Sequence, residues 1–465
     1  MKRILLLFIL CWSFCQAKIW TPSIISDHMV LQRNSTAKLW GWSTHTNEDL
    51  KVFTSWDEKE TAIKVDQGYW EVELEIPEAG GPYEISIIGH ENLSFKNVMI
   101  GEVWICSGQS NMEWTHMMGL DNAEEEIAAA NFPNIRFFSA PRKKAYHPQD
   151  DIPGAWVECS PETMKNFSSV AYFFGRKLHK NLEIPIGLID SNWGGTNVEA
   201  WIPDEVLGND AELVAAAKKI KRVPWWPEET GVCYNAMIHP FVNFNIAGAI
   251  WYQGESNRVN AFSYYTSFPL MIKSWRDAWG KEFPFYFVQI APYDYKTELN
   301  IDAAVVRDAQ LYTMLNVKNT GMAVTNDIGN LADIHPQNKQ DVGRRLALWA
   351  LAKTYGRTDV TYSGPVYSSM EVKRKFIVLS FDHVGGGLMK KGDELKEFYI
   401  AGKDQVFHEA EARIKGDKIW VSSPKVSSPK SVRFAFSNKA EPNLFNKAGL
   451  PASAFRTDDW QIKLK

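Results

Sequence analysis

The sequence predicts an α/β protein in which a parallel-sheet core, residues 98–357, stands between two β-rich modules, residues 18–97 and 358–465. Three observations predict it. From about residue 100 to 357, short apolar runs alternate with stretches whose apolar residues recur at steps of three and four, the mark of strands and helices in turn. Before residue 97, apolar and polar residues alternate with period two between turn signals. After residue 358 the chain is strand-like again, with Gly and Pro between the runs. At 465 residues and 45% hydrophobic, the chain is long enough for a sizeable core and too long for one ordinary domain.

The elements follow in order. Residues 1–17 read as an export signal: Lys2 and Arg3 lead a short apolar run, Ile4 to Phe14, and Ala17 supplies a small residue for cleavage. The run is short for a membrane span, and no other transmembrane candidate is present, so the mature protein is expected in the periplasm or outside the cell. Losing Lys2 and Arg3 takes the formal charge from −4 to −6, and no basic stripe marks a nucleic-acid partner. In the first module, Ala37-Lys38-Leu39-Trp40, Leu50-Lys51-Val52-Phe53 and Trp70-Glu71-Val72-Glu73-Leu74 alternate around turns such as Asp66-Gln67-Gly68, as in a small sandwich. Core strands are predicted at 103–106, 186–190, 247–252, 285–290 and 322–325. Helices are predicted over 262–279, with Tyr265, Phe268, Ile272, Trp275 and Trp279 on one stripe, and over 338–355, with Val342, Leu346, Trp349 and Lys353 on another. Such alternation calls for a parallel sheet with helices on both faces. Three cysteines follow the signal, Cys106, Cys159 and Cys233, without the spacing of a metal knuckle; one disulfide among them is open.

A parallel sheet binds its ligands beyond the carboxyl ends of its strands. Those ends carry Ser107-Gly108-Gln109-Ser110-Asn111, then Ser191-Asn192-Trp193-Gly194-Gly195-Thr196, then Gln253-Gly254-Glu255-Ser256-Asn257, and finally Asn326-Asp327 with Asp333-Ile334-His335-Pro336 beyond it. Each alone is ordinary turn chemistry. Together they hold the parts of acyl transfer: a hydroxyl that needs a base, N–H groups and an amide for an oxyanion, and a His beside an acid. The G-x-S-x-G elbow is absent, because Met112 stands where the second Gly would be.

These four motifs resemble the sialate O-acetylesterase group of the SGNH hydrolases, and the likeness extends to "SDHMVLQR" (26–33), "GGPYEI" (80–85), "LSFDHVGGGL" (379–388) and "GLPASAFRTD" (449–458). The resemblance implies a flavodoxin-like, three-layer parallel-sheet core with sandwich-like flanking modules. It implies Ser110 as nucleophile and His335 as base. The oxyanion would meet the Ser110 N–H, Gly194 or Gly195, and the Gln253 side chain. The orienting acid would be Asp333, although Asp-x-His departs from the common Asp-x-x-His; Asp327 and Glu255 are the alternatives, as is a Ser–His dyad oriented by a carbonyl. Trp114, Asn197, Trp201, Glu255 and Arg258 are candidate substrate contacts, with Glu113 and Glu199 nearby, and Arg258 suited to a carboxylate. Asn111 is expected to fix the loop.

The function expected is a secreted serine esterase acting on O-acetylated sugars, sialate 9-O-acetyl groups first, through an acetyl-Ser intermediate and with no metal or cofactor. The alternatives are an acetylesterase of xylan or xyloglucan, a carbohydrate-binding protein without chemistry, and a glycosidase using Glu199 and Glu255.

Overall fold

One strand of 17 residues, β1 (Asn92–Gly108), carries the chain from the N-terminal module into the core. The computed structural model describes residues 18–221, 223–297 and 300–462; the export signal lies outside them. The core continues through β2 (Phe132–Ser139), β3 (Trp156–Cys159), β4 (Ile186–Asn192), β5 (Gly248–Tyr252), β6 (Phe285–Gln289) and β7 (Thr320–Val324). Their order across the sheet is β3-β2-β4-β1-β5-β6-β7. Every pair is parallel except β3 with β2. The five predicted core strands are present, but the first is far longer than Val103–Cys106. Its first half pairs antiparallel with Gly80–Ile88 and parallel with Val30–Gln32, so the N-terminal sheet is continuous with the core. From Val98 to Gly108, β1 is buried at every residue, which is why the run there shows no alternation.

The rest of the N-terminal module includes a three-stranded sheet of Ile19–Trp20, Ser35–Ser43 and Tyr69–Ile76, the last alternating exposed and buried along its length. The C-terminal module contains two four-stranded sheets and a two-stranded one. Asn438 ties it to the core: its Oδ1 accepts from the Ala303 N–H at 2.9 Å and its amide donates to Asp302. The Asn326 amide donates to Ala452 O at 2.8 Å. Cys106, Cys159 and Cys233 are buried and unpaired, so the open disulfide is absent among the described residues. No helix among the described residues is long and apolar enough to cross a membrane.

The helices that position the site are α1 (Ser110–Glu113), α2 (Ser169–Leu182), α3 (Tyr264–Trp279), α4 (Asp302–Asn316) and α5 (Lys339–Trp349). The predicted helix over 338–355 is α-helical only to Trp349 and ends in a π-turn, Ala350–Thr354. Lys353 lies with its ammonium 4.6 Å from the centre of the Tyr362 ring. Helix α3 buries Phe268, Ile272 and Trp275 and stops at Gly280 in the left-handed conformation. Helices α2 and α5 cross at Gly343, where a Cβ would stand 2.6 Å from Phe173 Cβ and 2.7 Å from Val170 O. Gly343→Ala should therefore overpack the crossing and cost about 1–3 kcal/mol. Urea unfolding checks this; an unchanged midpoint would mean that the helices separate freely.

Candidate active site

Strand β1 ends between Asn192 of β4 and Tyr252 of β5, both in register with Gly108. Only glycine fits there. Its φ is +144°, and a Cβ would approach Tyr252 O to 2.2 Å. The chain turns at once: the Gln109 N–H donates to Tyr252 O at 3.0 Å, and the Met112 and Glu113 N–H groups close α1 on Gln109 O. Ser110 is thereby the first residue of a short helix at the carboxyl end of the central strand. Across from it, Ser110 Oγ and His335 Nε2 are 2.9 Å apart.

His335 is half-buried. Trp114 stacks on its ring with centroids 4.4 Å apart and planes 17° apart, and the indole is pinned by its own N–H donating to Gly119 O at 2.6 Å. Asp333 is close but does not grip the imidazole. Its Oδ1 accepts the backbone N–H of His335 at 2.9 Å and stands 3.7 Å from Nδ1, beyond hydrogen-bond reach. The two-residue spacing explains this, because the carboxylate folds back onto the main chain of its own turn. Of the alternative acids, Asp327 is held by both terminal nitrogens of Arg345 at 2.6 and 2.8 Å, and Glu255 bonds Asn111. Asp333 is thus the one of these three acids within 4 Å of Nδ1.

Asn111 joins the two loops. Its amide donates to Glu255 Oε1 at 2.9 Å and to Ile334 O at 3.1 Å, and its Oδ1 accepts from the Lys339 ammonium. Lys339 is buried, 5.6 and 5.7 Å from the ring centres of Trp114 and Tyr252. Burial pulls its pKa down to about 7, against the pull of Glu255 and Asp333. Burial pushes Glu255 up in turn, and Glu255 Oε2 has no hydrogen-bond partner. Burial, then the charge of Lys339, hold the His335 pKa below its ordinary value; Asp333 opposes them.

The oxyanion donors sort differently from expectation. Gln253 is fully buried, and its two amide hydrogens go to Thr196 O at 3.2 Å and Asn257 Oδ1 at 2.8 Å, while Oε1 accepts from the Tyr264 hydroxyl at 2.8 Å. It has no hydrogen left for an oxyanion. The Gly194 N–H is also taken: it donates to Glu113 Oε2 at 2.7 Å, and Arg142 grips the other oxygen of Glu113. Gly194 nevertheless lies against the nucleophile, since a Cβ on it would be 3.2 Å from Ser110 Cβ. Gly195 has φ +82° and is covered by the Trp226 ring, which a Cβ would strike at 2.4 Å. The N–H groups of Ser110 and Gly195 donate to no protein acceptor among the described residues. Gln109 is held through its Oε1 by the Gly254 and Ser256 N–H groups at 3.3 and 3.4 Å, which leaves its amide hydrogens without a protein acceptor.

Most of the expected substrate contacts lie elsewhere. Trp201 is fully buried, edge-on to Trp251, with its N–H donated to Thr196 Oγ1 at 3.0 Å. Asn197, Asn257 and Asn260 each donate to buried Glu199 at 2.8 Å, so Asn197 and Glu199 brace the loops from beneath and cannot serve a glycosidase pair with Glu255. Arg258 is pinned to Asp302 at 2.6 Å and lies 3.5 Å from the centre of the Tyr295 ring. Only Trp114 of that group is half-exposed beside the Ser–His pair.

A hydroxyl and an imidazole joined at the ends of parallel strands, with unpaired N–H groups alongside, define a serine-hydrolase type of site. Residues 100–352 match the family model described as carbohydrate esterase, sialic acid-specific acetylesterase. The chain is 32% identical over 412 residues to the sialate O-acetylesterase of Mus musculus, covering 75% of this chain and 76% of that protein. It is 32% identical over 391 residues to that of Homo sapiens, covering 75% and 74%. It also superposes on the crystal structure of a carbohydrate acetylesterase from Xanthomonas citri with a TM-score of 0.87, at 37% identity, over 95% of this chain and 100% of that one. The protein belongs to the sialic acid-specific acetylesterase family of carbohydrate esterases and is a carboxylic ester hydrolase.

Sequence reasoning passed over Lys339, Trp226 and Gln109. A signal for Lys339 was present: a cation in the first turn of a helix faces the positive end of the macrodipole, a local conflict that marks a special site. His335 must be neutral to act as a base, so activity falls as pH drops through its pKa. Lys339→Met removes a positive neighbour, so the His335 pKa should rise and the acid limb of the kcat/KM profile move to higher pH. A limb that stays in place would show that Lys339 does not act on His335.

Proposed function

We propose that this protein is an exported esterase that removes acetyl groups from sugar hydroxyls by a two-step serine mechanism. The observation that carries the reading is the 2.9 Å contact between Ser110 Oγ and His335 Nε2. Ser110 Oγ attacks the acetyl carbonyl carbon as His335 Nε2 takes its proton. The oxyanion accepts from the Ser110 and Gly195 N–H groups, and Gln109 supplies the side-chain donor. The tetrahedral carbon expels the sugar oxygen, which receives the proton from His335. Water then attacks the acetyl-Ser carbonyl while His335 takes its proton, acetate leaves, and Ser110 Oγ is reprotonated. Trp114 keeps the imidazole plane in place, and Asp333 favours the imidazolium by charge at longer range. The core that carries these residues is taken to be the three-layer SGNH arrangement, helices covering both faces of the sheet.

The similarity to sialate O-acetylesterases favours an O-acetylated sialate as substrate, and the 9-O-acetyl group is the position this reading assigns. A second reading, a neutral plant polysaccharide such as xylan or xyloglucan, has its own support: Arg258, the candidate for a sialate carboxylate, is committed to Asp302. Acetate release from O-acetylated sialoglycan and from acetylated xylan, compared at equal ester concentration, separates them. Export rests on the residue pattern of 1–17, and detection of the mature chain beginning at Lys18 outside the cytoplasm tests it.

Ser110→Ala should lower turnover by at least about 10³-fold with substrate binding retained. Gln109→Ala should cost about 10²-fold in kcat with KM little changed. Gln253→Ala should instead lower the unfolding temperature, because it empties a buried hydrogen-bond network. The reverse pattern for the two glutamines would return the oxyanion role to Gln253.

A further inference from the structure

A cleft of about 760 Å3 opens between the core and the C-terminal module. None of its lining residues belongs to the loops of Ser110, Gly194 or His335. Its size is that of a small-ligand site, and it is open along one side, as an extended ligand requires. On the core wall, Phe262 and Tyr312 are 46% and 45% exposed. Tyr367 and Trp460 face them from the module, half-buried.

The rings are held ready. Tyr312 stands edge-on to Tyr265 with centroids 5.5 Å apart, and the Tyr265 hydroxyl donates to Asp308 Oδ2 at 2.5 Å. Tyr367 is stacked on Phe455 at 4.8 Å. Holding four aromatic rings at an open cleft without burying them leaves apolar surface in water, a cost that a ligand would offset.

The basic groups beside the cleft are tied to a carboxylate. Asp458 takes Arg433 at 2.8 and 3.0 Å and Arg456 at 2.6 Å, so one carboxylate holds both guanidinium groups. The Asp308 carboxyl, held by Tyr265, is pushed up by burial. Asp459 also lines the cleft and has no ion-pair partner among the described residues, so the lining offers carboxylate acceptors and no unpaired guanidinium for a polyanion. Ring faces beside carboxylate and hydroxyl acceptors suit a neutral, ring-shaped molecule rich in hydroxyls.

We propose that this cleft is a second glycan subsite, which holds sugar units of the same chain whose acetyl group lies at Ser110. The inference rests on the carbohydrate reading above. The two sites share a structural element: Phe262 lies on the 3-10 segment Glu255–Ser263, which begins beneath Asn111. The segment is kinked at Asn260, and seven residues span at most about 25 Å even when fully extended, a distance that an oligosaccharide bridges. The C-terminal module therefore supplies half of a binding surface.

The test uses Phe262→Ala/Tyr312→Ala and, separately, Trp460→Ala. Activity is measured on 4-nitrophenyl acetate and on whichever of acetylated xylan, acetylated xyloglucan and O-acetylated sialoglycan the wild type deacetylates best. On the aryl ester the variants should match the wild type within about twofold, which also shows that they fold. On the polymer, KM should rise about tenfold for the double variant, with kcat kept. An unchanged polymer KM overturns the subsite and leaves the esterase reading intact. A wild type that cleaves the aryl ester and none of the three polymers overturns the carbohydrate reading and the subsite with it.

Discussion

The amide of Asn111 is the tie on which the site depends. A serine hydroxyl and an imidazole must be held within a fraction of an ångström, yet 225 residues separate Ser110 from His335. Asn111 follows the one, and Ile334 precedes the other. A single side chain at 1% exposure bonds Ile334 O, Glu255 and Lys339 together, with both amide hydrogens and the oxygen in use. Three strand ends and the start of α5 are thus fixed to one group. In a buried setting such a saturated amide resists displacement, because moving it would orphan several polar groups at once.

The same economy of buried polar groups runs beneath the second loop. Glu199 accepts from Asn197, Asn257 and Asn260, and Asn257 in turn accepts from Gln253 and the Val198 N–H. Carboxylate and amides bond one another, with Asn197 Oδ1 alone of the asparagine oxygens left without a protein partner, and the result is a floor under Gly194 and Gly195. This is why several residues that look suited to a sugar are unavailable to it. Polar side chains in a loop at a strand end can serve the ligand or the loop, and here most serve the loop. The half-exposed rings of Trp114 and Trp226 and the unpaired donors of Ser110, Gly195 and Gln109 are what remain for chemistry.

Much of this was legible in the residues. Strand–helix alternation located five of the seven core strands and missed Phe132–Ser139 and Trp156–Cys159, and reading the strand ends brought out Ser110 and His335, which the fold places in contact. The length of β1 was not legible, because a strand buried on both faces has no period to follow and its first half resembles the module before it. Gln253, Asn197, Trp201 and Arg258 were misplaced for one physical reason: sequence position fixes which loop a side chain belongs to, not whether it points into the cavity or under it. The two-residue spacing of Asp333 turns its carboxylate toward the His335 main chain. Lys339 went unseen because burial of a lysine is a tertiary fact, set by Asn111 and Glu255 from elsewhere in the chain.

Asn111 is the group that holds nucleophile and base in register. The decisive measurement is the rate at which a fluorophosphonate labels Ser110 in Asn111→Ala, taken at a temperature where circular dichroism shows the variant folded. Loss of the tie should slow labelling by about a hundredfold, the effect of a displacement near 1 Å. Labelling at the wild-type rate in the folded variant would contradict this role of Asn111 and return the alignment of Ser110 and His335 to the strands alone.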